Sequence, residues 1–147
     1  YDMTGKLKRS WKHSCLSKEF NKLRVVSGKV VVSSAQDQAL TVYDLQGQLV
    51  KQIKCPGIST RTSNLWIAMA VCGDDSVIVS CYDTSSVFRV NIDSGEVMWT
   101  SKRVHQPEGV VCYKNRYVLV TNCNTDTRIW ILDADTGIGL MPIYLNC

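Results

Sequence analysis

The chain has 147 residues, of which 45% are hydrophobic and 20% charged, and its formal net charge is +4. These values are typical of a single globular domain. They exclude a helix that crosses a membrane, because no apolar run approaches the roughly 18 residues that a span requires. The mild excess of basic residues does not demand an anionic partner, since scattered lysines on solvated strand edges explain it.

A repeat of about 42 residues organises the chain. Residues 1–11 read YDMTGKLKRSW and residues 43–53 read YDLQGQLVKQI, so that Gly5 and Gly47 are 42 positions apart. Gly95 and Gly137 are separated by 42 positions as well. Each of these glycines lies in a polar turn between two apolar runs, as a tight hairpin requires. Internal repeats of this length indicate a solenoid, a propeller or another array.

Each repeat divides into four short strands with polar turns between them. The second repeat, over 23–54, begins LRVVS and continues VVVSS, ALTVYDL and QLVKQI. The third, over 66–101, reads IAMAVC, SVIVSC, SVFRVNI and EVMWTS, and the fourth, over 109–143, reads GVVCY, YVLVT, TRIWIL and IGLMPI. Residues 1–12 are predicted to form the outer strand of a preceding unit. Almost no helix is expected, because no window shows a sustained period of 3.6 residues.

The distribution of apolar residues within each repeat predicts a β-propeller. The second strand is apolar at nearly every position, as a strand covered on both faces must be. The fourth strand is more polar, which suits an outer edge, and Pro142 is tolerated there without its N–H. A four-stranded unit with two apolar faces buries them only against neighbouring units. Residues 1–147 are therefore predicted to form one partial, all-β propeller of about three blades.

The last repeat resembles the NHL repeat. The residues that carry the resemblance are Pro107, Gly109, Val110, Tyr117, Val118, Asn124, Asp126, Arg128, Ile129, Asp133 and Gly137. The other two repeats match the pattern more loosely. NHL propellers usually have six blades, so the resemblance implies that the missing blades come from the rest of a longer parent chain. It also implies RING, B-box and coiled-coil segments upstream, which would make the parent a tripartite-motif ubiquitin ligase.

The seven cysteines follow no metal-binding spacing, since the sequence contains no C-x-x-C pair. Cys72 and Cys112, in AVCGDD and VVCYKN, are aligned at one repeat position and are interpreted as small buried apolar residues. A metal site that uses His13 with Cys15, or Cys81 with Cys123, is the weaker alternative. The pattern suits a reducing compartment, and a cytoplasmic location is expected.

The sequence offers no catalytic constellation and no cofactor motif. Its two histidines, His13 and His105, lie in connectors between repeats and are expected to be exposed. A catalytic histidine would need a nucleophile and an orienting acid, and neither is indicated. NIDSGEVMWTS places Trp99 four residues after Gly95, and this motif resembles the repeat of quinoprotein propellers. A quinone-dependent oxidation is therefore one alternative, although a tryptophan that packs between blades explains the motif without any cofactor.

The function is expected to lie on the loops that join second to third strands and on the connectors between blades. The candidate partner-binding residues are Arg61, Asp83, Lys102, Arg103, His105, Gln106, Asn122, Asn124 and Asp126. RNA binding needs converging basic and stacking groups. The loops after the second strands hold Asp37, Asp83 and Asp126 and no Lys or Arg. The sequence therefore predicts a protein partner, no membrane partner and no cofactor, with RNA as the alternative.

Overall fold

The structure is a computed structural model that describes residues 22–34, 37–58, 67–123 and 128–144. It contains three four-stranded antiparallel sheets, each with its strands in sequence order. The first sheet comprises β1 (Leu23–Val26), β2 (Lys29–Ser34), β3 (Ala39–Asp44) and β4 (Leu49–Lys54). The second comprises β5 (Ile67–Cys72), β6 (Ser76–Cys81), β7 (Ser86–Asn91) and β8 (Val97–Ser101). The third comprises β9 (Pro107–Tyr113), β10 (Tyr117–Asn122), β11 (Arg128–Asp133) and β12 (Ile143–Tyr144).

The prediction of an all-β chain is confirmed, since the described residues contain no helix. Accordingly, no helix in the described ranges is long and apolar enough to cross a membrane. The predicted leading outer strand, residues 1–12, lies outside the described residues.

The turn from third to fourth strand is closed in the same way in all three sheets. Asp44, Asn91 and Asp133 each end a third strand and accept backbone N–H groups of the turn through their side-chain oxygen. At Asp133, Oδ1 lies 3.0 Å from N of Asp135 and 2.9 Å from N of Thr136. The turn glycines have positive φ, as the sequence predicts: Gly47 (85°), Gly95 (82°) and Gly137 (70°). This repeated side-chain-to-backbone turn fixes the register of the outer hairpin.

The Asp133 turn gives a first testable prediction. Hydrogen bonds from Thr136 hold the pKa of the Asp133 carboxyl below its usual range. A depressed pKa in the folded state stabilises the fold above the unfolded pKa, and that contribution is lost as the pH falls below about 4. Asp133→Asn is expected to weaken this acid dependence, because Asn91 closes the equivalent turn with the same kind of oxygen. Asp133→Ala removes the acceptor and is expected to cost about 1 kcal/mol at pH 7.

Urea unfolding of both variants at pH 7 and pH 3 tests this account of the turn. An alanine variant as stable as the parent chain at pH 7 would show that the turn does not depend on the acceptor.

The three sheets stack face to face, and their first strands lie side by side. Side chains of a strand alternate between its two faces, so each sheet has one face toward each neighbour. The core between the first and second sheets contains Val31, Leu40, Val42, Met69, Val79 and Phe88, all of which are nearly inaccessible to solvent. The core between the second and third contains Ile78, Val87, Trp99, Val118, Val120 and Leu132. Each inner sheet face is therefore buried only because another sheet covers it.

Two side chains of the second sheet hold the third sheet at one backbone carbonyl. Nε1 of Trp99 donates a hydrogen bond to O of Ala134 at 2.8 Å, and Nη1 of Arg89 donates to the same oxygen at 2.9 Å. Arg89 also pairs with the exposed carboxylate of Asp135 at 3.0 Å. The indole ring lies so close to Gly137 that a Cβ there would come within 2.5 Å of it. Trp99 therefore packs one sheet onto the next, as the sequence motif suggested.

The interpretation of Cys72 and Cys112 as matching positions is wrong. Cys72 pairs with Ser76 across its hairpin, and the residue in the same place of the third sheet is Tyr113, which pairs with Tyr117. A slip of one residue along a strand turns a side chain to the other face. Cys72 thus faces the third sheet and Cys112 faces the second, and a disulfide joins them with their Cα atoms 5.4 Å apart.

The fourth strand predicted over IGLMPI is only partly formed. Gly139 bridges to Leu132, and regular pairing is confined to β12, which matches Ile143 with Ile129 and Tyr144 with Arg128. Pro142 precedes β12 and has no N–H to donate to the ladder, so the outer strand is interrupted there. The outer edge of the third sheet is therefore shorter than those of the first two.

Candidate functional site

One end of the stacked sheets carries both kinds of loop in which the sequence placed the function. A chain that runs up and down through four strands brings the turn after the second strand and the connector after the fourth to the same end. We call the described part of this end the loop rim: residues 37–38, 55–58, 82–85, 104–106, 108 and 123.

Hydrogen bonds tie the loop rim of the first sheet to that of the second. N of Cys55 donates to O of Gln38 at 2.7 Å, and Nε2 of Gln38 donates to O of Ile58 at 2.9 Å. The connector then reaches the second sheet, where Oγ1 of Thr84 donates to O of Gly57 at 2.6 Å. Gly57 is required there, because a Cβ would lie 2.9 Å from the ring of Phe88.

The same pattern continues from the second sheet to the third. N of Gln106 donates to Oγ of Ser85 at 3.1 Å, and N of Cys123 donates to O of Gln106 at 3.3 Å. The loops of the rim are therefore connected to one another across sheet boundaries, and a partner would meet a backbone that is already ordered.

Three residues of the loop rim have left-handed backbone conformations that are unusual for residues other than glycine. Their φ angles are 49° for Gln38, 47° for Ser85 and 48° for Gln106. Such conformations persist only where the surroundings fix them, and they concentrate at binding sites and switch regions. Here the hydrogen bonds of Gln38, Ser85 and Gln106 provide that constraint.

A chain of three titratable side chains crosses the rim between the second and third sheets. Tyr82, Cys123 and Glu108 meet at this boundary closely enough for each to influence the titration of its neighbours. The hydrogen bond and the charge of Glu108 raise the pKa of the Cys123 thiol. Burial, followed by the effects of Cys123 and Glu108, raises the pKa of Tyr82. At neutral pH both groups are protonated, so Glu108 and the exposed Asp83 make this part of the rim acidic.

The raised pKa of Cys123 also limits the chemistry of the site. A nucleophilic cysteine needs a lowered pKa, whereas this thiol is held protonated by a carboxylate. Burial raises the pKa of the Cys55 thiol to about 11, and Cys81 is buried as well. In the described ranges no cluster of three or more His, Cys, Asp or Glu side chains is arranged to hold a metal ion.

The structure brings together some of the predicted site residues and separates others. The backbone of Gln106 is hydrogen-bonded to Ser85 on one side and to Cys123 on the other. Asn122 is the last residue of β10, directly before Cys123, and Asp83 is exposed beside Tyr82. Lys102 and His105 are exposed in the connector.

Arg103 has a different position, because its side chain lies against the backbone of Gly139 near the outer strands, with Nε 3.1 Å from a Cβ built on that glycine. Arg61, Asn124 and Asp126 lie outside the described residues. Sequence reasoning named the loops that contain Tyr82, Cys123 and Glu108 but did not find these side chains, because only the packing of two sheets brings them into contact.

Known structures show which architecture these sheets belong to. Hydrazine synthase of Kuenenia stuttgartiensis is 15% identical, with 81% of this chain and 33% of that chain aligned and a TM-score of 0.66. BamB of Moraxella catarrhalis is 20% identical over 82% and 35% of the two chains, with a TM-score of 0.61. The β-propeller domain of Cps50 (Swd1) from Myceliophteria thermophila is 8% identical over 86% and 37%, with a TM-score of 0.64. The fold is a β-propeller.

The three sheets are therefore propeller blades, and the predicted fold class is confirmed. No family model matches the chain, and no curated protein does. The likeness to structures of such low identity concerns the fold alone. The chain spans about one third of the length of these three matched structures.

Proposed function

We propose that this propeller is a non-catalytic recruitment module that binds a protein partner through its loop rim. The observation that carries the proposal is the cluster of Tyr82, Cys123 and Glu108 at the boundary of two blades, where Glu108 and the neighbouring, exposed Asp83 supply negative charge. Rigid elements that present loops at one end are the usual platform for binding. The carboxylate of Glu108 helps to hold the thiol of Cys123 protonated, and a protonated thiol is a weak nucleophile.

The chemistry of the rim selects the kind of partner. Asp83 and Glu108 attract a lysine or arginine side chain and repel phosphate. The phenol of Tyr82 offers an aromatic face against which such a cation packs. The favoured partner is therefore a protein segment that carries basic side chains, recognised between the second and third blades.

The NHL resemblance of residues 105–137 supports a more specific proposal. It assigns the propeller to the partner-recruiting end of a tripartite-motif ubiquitin ligase, whose zinc-binding segments lie elsewhere in the parent chain. In this proposal the protein that binds the propeller is the substrate, and binding brings it to the ligase segments.

Binding to an array of peptides with a fixed lysine or arginine tests the proposed function. We expect Asp83→Asn combined with Glu108→Gln to lower the affinity for the tightest-binding peptides at least about tenfold, because close charge pairs are lost. The matched control is Glu96→Gln, an exposed acidic residue in a turn at the opposite end of the second blade. Equal effects of both changes, or no effect of the rim change, would show that the rim does not bind basic segments.

RNA is the second candidate, because Lys102 is exposed in the connector beside the rim, and Arg103, whose side chain lies against Gly139, is exposed as well. If RNA is the ligand, affinity for a single-stranded RNA falls steeply with salt, and Lys102→Glu with Arg103→Glu reduces that slope. Binding of this kind, together with no binding to basic peptides, would replace the protein-partner proposal.

A further inference from the structure

Three buried polar atoms between the second and third blades have no hydrogen-bond partner among the described residues. They are Oγ of Ser80, Oδ1 of Asn122 and Nε1 of Trp130, and we call these three side chains the polar layer. Ser80 is completely buried, whereas Asn122 and Trp130 are half-buried residues whose polar atoms are shielded from solvent. Buried polar groups in folded proteins are nearly always paired, so a set of unpaired ones indicates a missing ligand group.

The strands place the polar layer on the surfaces that the two blades turn toward each other. Ser80 is two residues after Ile78 along β6, and Asn122 is two residues after Val120 along β10. Each therefore points to the same side as the core residue before it. Ile78 and Val120 belong to the core between the second and third blades, and Trp130 packs against that core.

The polar layer lies directly beneath the acidic part of the loop rim. Tyr82 is two residues after Ser80, and Cys123 directly follows Asn122. The pairing of β9 with β10 skips Glu108, which is therefore the extra residue of a β-bulge. Bulges are common next to active sites, where they redirect a side chain. A side chain that enters between the blades at Tyr82, Cys123 and Glu108 would thus meet the polar layer next.

The hydroxyls that correspond to Ser80 in the other two blades are paired. Each is the fifth residue of the second strand of its blade. Oγ of Ser33 accepts from N of Lys22 at 2.9 Å, and Oγ1 of Thr121 accepts from N of Gly109 at 3.1 Å. The hydroxyl of the second blade is therefore the one that is left to bind a group from outside the described chain.

The three atoms select a neutral group that both donates and accepts hydrogen bonds. Oδ1 of Asn122 accepts, Nε1 of Trp130 donates, and the hydroxyl of Ser80 does either. An ammonium or guanidinium group would leave the N–H of Trp130 unpaired. A carboxylate would leave the oxygen of Asn122 unpaired and would be repelled by Glu108. A primary carboxamide satisfies all three atoms, because its N–H groups reach Asn122 while its oxygen accepts from Trp130 and Ser80.

We propose that the polar layer binds the carboxamide of a glutamine side chain of the protein partner. This inference rests on the proposed function, since the same segment places its lysine or arginine against Asp83 and Glu108. The glutamine enters from the loop rim, and a rotation of Tyr82, of a kind common at interfaces, gives it access. The preferred partner segment therefore carries a glutamine close to a basic residue.

Ser80→Ala tests whether this hydroxyl serves a ligand or the fold. Because the hydroxyl is unpaired in the free protein, its removal is expected to leave the thermal unfolding midpoint unchanged or to raise it. Ser33→Ala is the matched control and is expected to lower the midpoint by about 3 °C, because it removes a paired hydroxyl. If Ser80→Ala lowered the midpoint as much as Ser33→Ala, the hydroxyl would already be paired within the free protein, and the proposal would be wrong.

Peptide titrations test the glutamine itself. The tightest-binding lysine peptide of the array is compared in versions that carry glutamine, methionine or glutamate at each position beside the lysine. The parent chain is expected to prefer glutamine over methionine about fivefold, the value of one hydrogen bond, and Ser80→Ala or Trp130→Phe should abolish that preference. Lysine peptides that bind, and that respond to the changes at Asp83 and Glu108, but show no preference for glutamine would overturn this proposal and leave the proposed function standing. Failure of every basic peptide to bind would overturn both.

Discussion

Replacing Cys72 and Cys112 by valine is expected to lower the free energy of unfolding by about 3 kcal/mol under oxidising conditions. The disulfide closes a loop with a sequence separation of 40 residues and joins the second blade to the third. Valine is the appropriate replacement because Val26 and Val71 occupy the same two places between the first and second blades. The double variant therefore retains a packed interface and loses only the covalent link.

Urea unfolding with and without dithiothreitol measures this effect. The reductant should destabilise the parent chain and leave the double valine variant unchanged. Cys123→Ser, which alters an exposed thiol outside the bond, is the control and should respond to the reductant as the parent chain does. A parent chain whose unfolding midpoint is insensitive to reduction would contradict a stabilising disulfide.

Replacing Trp99 by alanine is expected to cost about 4 kcal/mol, since large aromatic truncations in a core typically cost 3–5 kcal/mol. The indole fills the space over Gly137 and donates to the carbonyl of Ala134. Lys51 holds the equivalent place in the first blade, where it pairs across the strand with Val42 and donates to the carbonyl of Asp93. Lys51→Ala is expected to cost less than about 1 kcal/mol, because it removes a partly exposed side chain and one hydrogen bond.

Denaturant unfolding of the two alanine variants tests whether Trp99 itself holds the two blades together or only adds hydrophobic surface to the outer strand. Trp99→Phe provides an intermediate, because it retains an aromatic ring and removes the N–H donor. If Trp99→Ala were no more destabilising than Lys51→Ala, the tryptophan would not hold the second and third blades together.

The sequence predicted the strands well because each blade repeats the same local rules. Alternating apolar runs, a side-chain-capped turn at Asp44, Asn91 and Asp133, and glycines with positive φ are all readable from short segments. Trp99 was also interpretable, because its distance from the turn at Gly95 places it on the outer strand, facing the next blade. The interruption of the last strand follows from Pro142, which has no backbone N–H. The number of strand residues that lose their pairing is set by the surrounding hydrogen bonds and was not predictable from the sequence.

Contacts between blades were not predictable in the same way. Aligning AVCGDD with VVCYKN places Cys72 and Cys112 at one position, whereas the hairpin pairing places them one residue apart and on facing surfaces. The contact of Tyr82 with Cys123 and Glu108 joins residues from two blades, and no local pattern specifies it. Single-sequence periodicity gives the face of a side chain only when the register of its hairpin is known.

The central claim is that the first strands of successive blades pack side by side, and disulfide mapping tests it most directly. After mild oxidation, a tryptic digest without reductant should contain the peptide 62–89 linked to the peptide 104–114, with fragmentation assigning the bond to Cys72 and Cys112. That link requires β5 and β9 to be neighbours whose facing side chains meet. Linkage of Cys112 to a different cysteine, or no link at Cys112 while other cysteines are oxidised, would contradict this arrangement of blades.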